Sequence, residues 1–112
     1  MRKFIFVLIL FALTLPAFAG YKSAYQLQQD CEENGTGDIA MCLGYLAGVS
    51  DAAAAITDWE LGKEKGWCTP MGVTLGQLRQ VFLKWAEERP EKLHNDAGSI
   101  VLDSLDAAFP CE

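Results

Sequence analysis

Apolar residues recur at three- and four-residue spacing from Ala24 to Phe109, broken by short polar runs, and no stretch alternates as a strand would. The pattern predicts an all-α, compact single domain of four helices or slightly more. Ser23 and Gln26 form a capping box in which hydroxyl and amide satisfy free backbone donors. A first helix of about ten residues follows, with Ala24, Leu27 and Cys31 inward, until Asn34, Gly35, Thr36 and Gly37 break it. Asn34-Gly35-Thr36 also fits a glycosylation sequon and is read as a turn. Asp38 is the expected N-cap of a second, central helix, whose inner face is Ile39, Cys42, Leu43, Leu46, Val49, Ala53 and Ile56, running toward Trp59. Gly44 and Gly48, four apart beside Ala47 and Ala52, are read as a face for close helix packing.

Residues 61–71 form a loop rich in glycine and charge. Thr74 and Gln77 then make a second capping box, with Val73 and Leu78 as its hydrophobic staple, so the third helix starts at Leu75. Leu78, Phe82 and Trp85, with Val81 alongside, are its inner stripe, and Arg89-Pro90 ends it because proline disfavours helical geometry in the residue before it. Asp96 caps a fourth helix lined inward by Ala97, Ile100, Val101, Leu105 and Ala108. Its opposite face carries Asp96, Ser99, Asp103 and Asp106 as a solvated surface, and Phe109-Pro110-Cys111 closes the pattern with an aromatic, a helix stop and a staple.

The amino terminus reads differently. Arg2 and Lys3 precede an apolar run of about a dozen residues, too short for a stable bilayer span. Pro16 and the small-residue site Ala17-Phe18-Ala19 follow, so residues 1–19 are an expected signal peptide and residues 20–112 the exported domain. No cysteine follows the cleavage point to carry acyl chains, which predicts a soluble, periplasmic product. Loss of Arg2 and Lys3 reduces the basic count from nine to seven against fifteen acidic residues, a formal charge of −8. That charge opposes binding to nucleic acid or to anionic membrane.

Four cysteines in an exported chain predict two disulfides. No pair has C-x-x-C spacing and His94 is the one histidine, so neither a metal site nor a cofactor is expected. Three pairings are possible, and geometry ranks them. Cys31 near the end of one helix and Cys42 near the start of the next come level across an antiparallel turn, which leaves Cys68 for Cys111. Chain entropy assigns about 3 kcal/mol to the short loop and about 4 kcal/mol to the long one. The same inventory argues against an enzyme, since a nucleophile needs a base and the cysteines are consumed in staples. Asp51 stands alone near the middle of the second helix, where a single carboxylate is ordinarily exposed or paired.

Cys42-Leu43-Gly44-Tyr45-Leu46-Ala47-Gly48 with Asp51, then Trp67-Cys68-Thr69-Pro70, Gly72-Val73-Thr74, Gln77-Leu78, Pro90-Glu91 and Phe109-Pro110-Cys111 occur in an order and spacing that resembles the Rap/Tai-type immunity proteins of type VI secretion amidases. Trp67 and Thr69 depart from that pattern in ways that affect packing. The resemblance implies a helical periplasmic protein, a homodimer, that binds an injected peptidoglycan amidase and blocks its cysteine–histidine active site. It implies an inhibitory loop between helices. Residues 89–96 are the first candidate, with Pro90, Glu91, Lys92, Leu93 and His94 as partner-binding residues and Leu93 as the apolar anchor; residues 61–69 are the second. The alternative is an acid-stress periplasmic chaperone or another small helical binding protein. Two staples in so short a chain argue against the large acid-triggered opening that such chaperones need.

Overall fold

The computed structural model describes residues 21–59 and 66–111. The expected signal peptide, and residues 61–65 of the second candidate loop, lie outside the described residues. Four α-helices are present among those described: α1 (Ala24–Glu32), α2 (Thr36–Trp59), α3 (Leu75–Glu88) and α4 (Ala97–Ala108), with a 3-10 turn at Pro90–Lys92. No strand occurs among them beyond an isolated antiparallel bridge between Ser23 and Asp96.

Local sequence explains most helix starts. Ser23 accepts from the Gln26 N–H while the Gln26 side chain accepts from the Ser23 N–H, and Thr74 and Gln77 repeat the arrangement at α3. Asp96 caps α4 through the Ser99 N–H at 2.9 Å. At α2 the expectation fails. The helix begins at Thr36, the Ile39 N–H donates to the Gly35 carbonyl at 3.0 Å, and Asp38 lies inside the first turn. A Cβ on residue 35 would sit 2.9 Å from an Asp38 carboxylate oxygen, so the carboxylate folds over the helix start where glycine leaves room. Gly72 has φ +89°, the left-handed conformation of a tight turn, and it reverses the chain just before α3.

All four helices converge on one core. Phe82 is its largest fully buried side chain, joined by Leu27, Leu46, Leu105, Val101, Cys31 and Cys42. The inward residues of α1 are those the spacing predicts, Ala24, Leu27 and Cys31. On α3, Leu78, Phe82 and Ala86 are buried and Trp85 only partly so. On α4, Ser104 takes a core place that the apolar pattern gives to Ala108, because its hydroxyl donates to the Val101 carbonyl at 2.7 Å and leaves no polar group unpaired. The Arg79 guanidinium reaches across and donates to the Cys31 carbonyl at 2.7 Å, satisfying the carboxy-terminal end of α1.

Both predicted disulfides are present. Cys31–Cys42 joins α1 to α2 with Cα atoms 5.0 Å apart, and Cys68–Cys111 joins the segment before α3 to the chain end at 4.9 Å. The Cys68 N–H also donates to the Phe109 carbonyl at 2.7 Å, so the long staple is seconded by backbone.

The largest departure from the sequence reading concerns α2. Only Cys42 and Leu46 are fully buried along it, while Ile56 is 53 % and Trp59 80 % exposed. Nothing lies within 4 Å of where a Cβ on Gly44 or Gly48 would stand. Those glycines therefore pack against no helix among the described residues, and the inner face ends short of Ile56.

Candidate partner-binding site

The connection between α3 and α4 is short and held from both sides. Arg89 leaves helical geometry at φ −134°, Pro90 opens the 3-10 turn, and the Leu93 N–H closes it on the Pro90 carbonyl. The first two N–H groups of α1 lack partners within their own helix, and the connection supplies them. Ala24 donates to the Asn95 carbonyl and Tyr25 to the Leu93 carbonyl, each at 2.9 Å, while the Ala97 N–H returns a bond to Lys22. Three backbone bonds thus fix the loop to the start of α1.

That geometry separates the five residues singled out by sequence. Leu93 turns inward and is 7 % exposed as a member of the core, so its side chain is not available as an anchor for a partner. Pro90, Glu91, Lys92 and His94 point outward and are exposed. The loop presents one cation, one anion and an imidazole on a backbone that has little freedom left to lose. Asp96 ends it, and the Ser99 backbone N–H and hydroxyl hold its carboxyl below the usual carboxylate range. Burial, and then the Asp96 charge, push the Tyr45 phenol on α2 above its ordinary value.

Beside the loop lies an open groove of about 330 Å³ between the last turns of α3 and α4, floored by Val81, Trp85, Ala107 and Ala108. Arg89 stacks on the Trp85 ring at 4.7 Å from its centroid and pairs with Glu88 at 3.3 Å, and Lys84 stands on the same rim. Sequence reasoning assigned Trp85 to the core and missed its second role as the platform under Arg89. The four-residue spacing of the two was the available signal.

Among the described residues no group of three or more His, Cys, Asp or Glu side chains is placed to hold a metal ion. All four cysteines are disulfide-bonded, Asp51 is exposed on α2, and His94 stands in the loop with Glu91 and Lys92 rather than beside a nucleophile. A family model described as Rap1a immunity proteins matches residues 23–111, nearly all of the folded domain. No curated protein matches the chain.

Proposed function

The chain belongs to the Rap1a immunity protein family, and from that premise we propose that it is a periplasmic homodimer that binds a peptidoglycan amidase injected by type VI secretion and occludes its active site. Immunity proteins are generally non-enzymatic, which supports an inhibitor that acts by binding its effector. The observation that carries the reading is the extent of the match, which begins at the Ser23 cap and ends at the Cys111 staple. Residues 1–19, a basic start, an apolar run and a small-residue cleavage site, supply the export route to the compartment where such an amidase acts.

The inhibitory element in this reading is the α3–α4 connection, contacting the amidase through Pro90, Glu91, Lys92 and His94. Leu93 contributes from beneath by locking the loop to the core. A loop already ordered in the free protein loses little conformational entropy on binding, which favours affinity. The test is co-expression of any peptidoglycan amidase that a neighbouring gene encodes, directed to the periplasm, with wild-type protein or with a Lys92→Glu, His94→Ala variant. Both substitutions are at exposed positions and are expected to leave the circular dichroism spectrum unchanged. Lysis with the variant and survival with the wild type is the expected outcome. Survival with both transfers the inhibitory role to residues 61–69, and absence of any wild-type binding to that amidase defeats the inhibitor reading.

A further inference from the structure

With Leu93 turned into the core, the α3–α4 connection shows a partner only Pro90, Glu91, Lys92 and His94, none of them a large apolar side chain. Four such residues cover a fraction of the roughly 800 Å² that each partner gives to a specific interface. Binding energy in such interfaces is concentrated in a few aromatic or arginine anchors, so an anchor for this loop must stand on a segment beside it. On the α3 side Trp85 is half-buried and already covered by Arg89, which stacks on its ring at 4.7 Å. On the α1 side, residues 22–25 run antiparallel to residues 93–97. The Tyr25 N–H donates to the Leu93 carbonyl, Ala24 to Asn95 and Ala97 to Lys22, each at 2.9 Å, with Ser23 bridged to Asp96 between them. This segment carries two open aromatic side chains, Tyr25 at 54 % exposure and Tyr21 fully exposed.

We propose that Tyr21 and Tyr25 are the aromatic anchors of the inhibitory surface, seated on the rim of the amidase cleft that the α3–α4 connection enters. The inference rests on the amidase-inhibitor reading above and extends its surface onto the start of α1. Backbone ties make the two parts one body: the bond from Tyr25 to Leu93 fixes the tyrosine beside His94, so a partner that reaches the loop meets the ring as well. The Gln29 amide donates to the Tyr25 hydroxyl oxygen at 3.4 Å, which orients the ring along α1 and leaves the phenol hydrogen for an acceptor on the partner. Lys22, between the two tyrosines in sequence, is paired with Asp30, so its charge is already answered within the chain. Tyrosine gives large contact area for two side-chain torsions, and an aromatic residue of this size buries 150 Å² or more, about 300 Å² for the pair.

Other exposed apolar side chains do not share this placement. Met71 and Leu75 lie at the start of α3, about 20 Å of helix away from the connection. Taken singly, exposed apolar residues are ordinary on a soluble domain. What sets the tyrosines apart is the run of backbone bonds that joins their segment to the loop. Two rings and a phenol hydrogen, set beside the Lys92 ammonium, fit a rim that presents apolar side chains and hydrogen-bond acceptors.

The test is calorimetric titration of the exported protein, purified from the periplasm, with any peptidoglycan amidase that a neighbouring gene encodes. The forms compared are wild type, Tyr21→Ala, Tyr25→Ala, Tyr25→Phe and, as control, Met71→Ala. The expected result is a loss of affinity of roughly tenfold or more for each tyrosine-to-alanine change, with Met71→Ala unchanged and circular dichroism the same throughout. Tyr25→Phe keeps the ring and should stay within a few-fold of wild type. If Tyr25→Ala alters the fold, Tyr21→Ala decides alone, because that side chain is fully exposed and its loss leaves the core untouched. Wild-type affinity in both alanine variants overturns the anchors while the inhibitor reading stands. A Tyr25→Phe loss as large as that of Tyr25→Ala gives the binding to the hydroxyl and overturns the ring as anchor. Loss in the tyrosine variants with full binding by Lys92→Glu, His94→Ala upholds the anchors and removes the loop from the interface. No binding of wild type to any such amidase overturns the anchors together with the reading they rest on.

Discussion

Asp96 joins two parts of the molecule: its carboxylate caps α4 through Ser99, and its backbone bridges Ser23 at the start of α1. Asp96→Ala removes an N-cap and is expected to cost about 1 kcal/mol in urea unfolding at neutral pH. Asp96→Asn keeps a capping oxygen and removes the titration. The folded carboxyl is held below its ordinary value, so its stabilisation is complete above the ordinary carboxylate pKa and is lost as pH falls through the depressed one. The stability gap between wild type and Asp96→Asn should therefore shrink as unfolding is repeated at pH values below about 4. A gap that widens in acid contradicts the capping account. Caps of this kind were legible in the sequence because their chemistry spans three or four residues. Leu93 was not. It stands out as the one large apolar residue of the short connection between α3 and α4, too short for periodicity to say which way it faces; in the structure the Tyr25 N–H grips its carbonyl and its side chain is buried in the core.

The same difference between local and distant causes appears among the helices. α3 starts at Leu75, as the capping box predicts, because Thr74 and Gln77 satisfy each other's backbone groups at 2.7 and 3.2 Å. Thr74→Ala should lower stability by roughly 1 kcal/mol. Thr74→Ser, which restores the hydroxyl, should recover most of that loss in the same denaturant midpoint. Equal destabilisation by both would show that Thr74 acts through packing instead. α2 was misread for the opposite reason. A helix apolar on both sides gives no contrast for periodicity to find, so Ile56 falls on the expected inner face and the glycines on a packing face, although Ile56 is exposed and burial along α2 stops short of it.

At the scale of the whole molecule, the two staples hold one small core at different depths. Cys31 and Cys42 are both fully buried, whereas Cys68 and Cys111 are exposed at the end of the domain opposite in sequence. A thiolate must reach a sulfur to reduce the bond, so access orders the two reactions. Titration of the folded protein with dithiothreitol, followed by alkylation and peptide mass mapping, should label Cys68 and Cys111 first, with Cys31 and Cys42 still oxidised. The selectively reduced protein should keep its helical spectrum, since Cys68–Cys111 closes a loop around α3 and α4 without contributing to the core. Releasing that 43-residue separation restores about 4 kcal/mol of unfolded-chain entropy, a large part of what a domain this small has. At several degrees of melting temperature per kcal/mol, Tm should fall by roughly 15 to 30 °C. Simultaneous labelling of all four cysteines would mean that the short staple opens only with global unfolding or that the long one is shielded. Labelling of Cys31 and Cys42 first would contradict the buried hairpin at the heart of the fold.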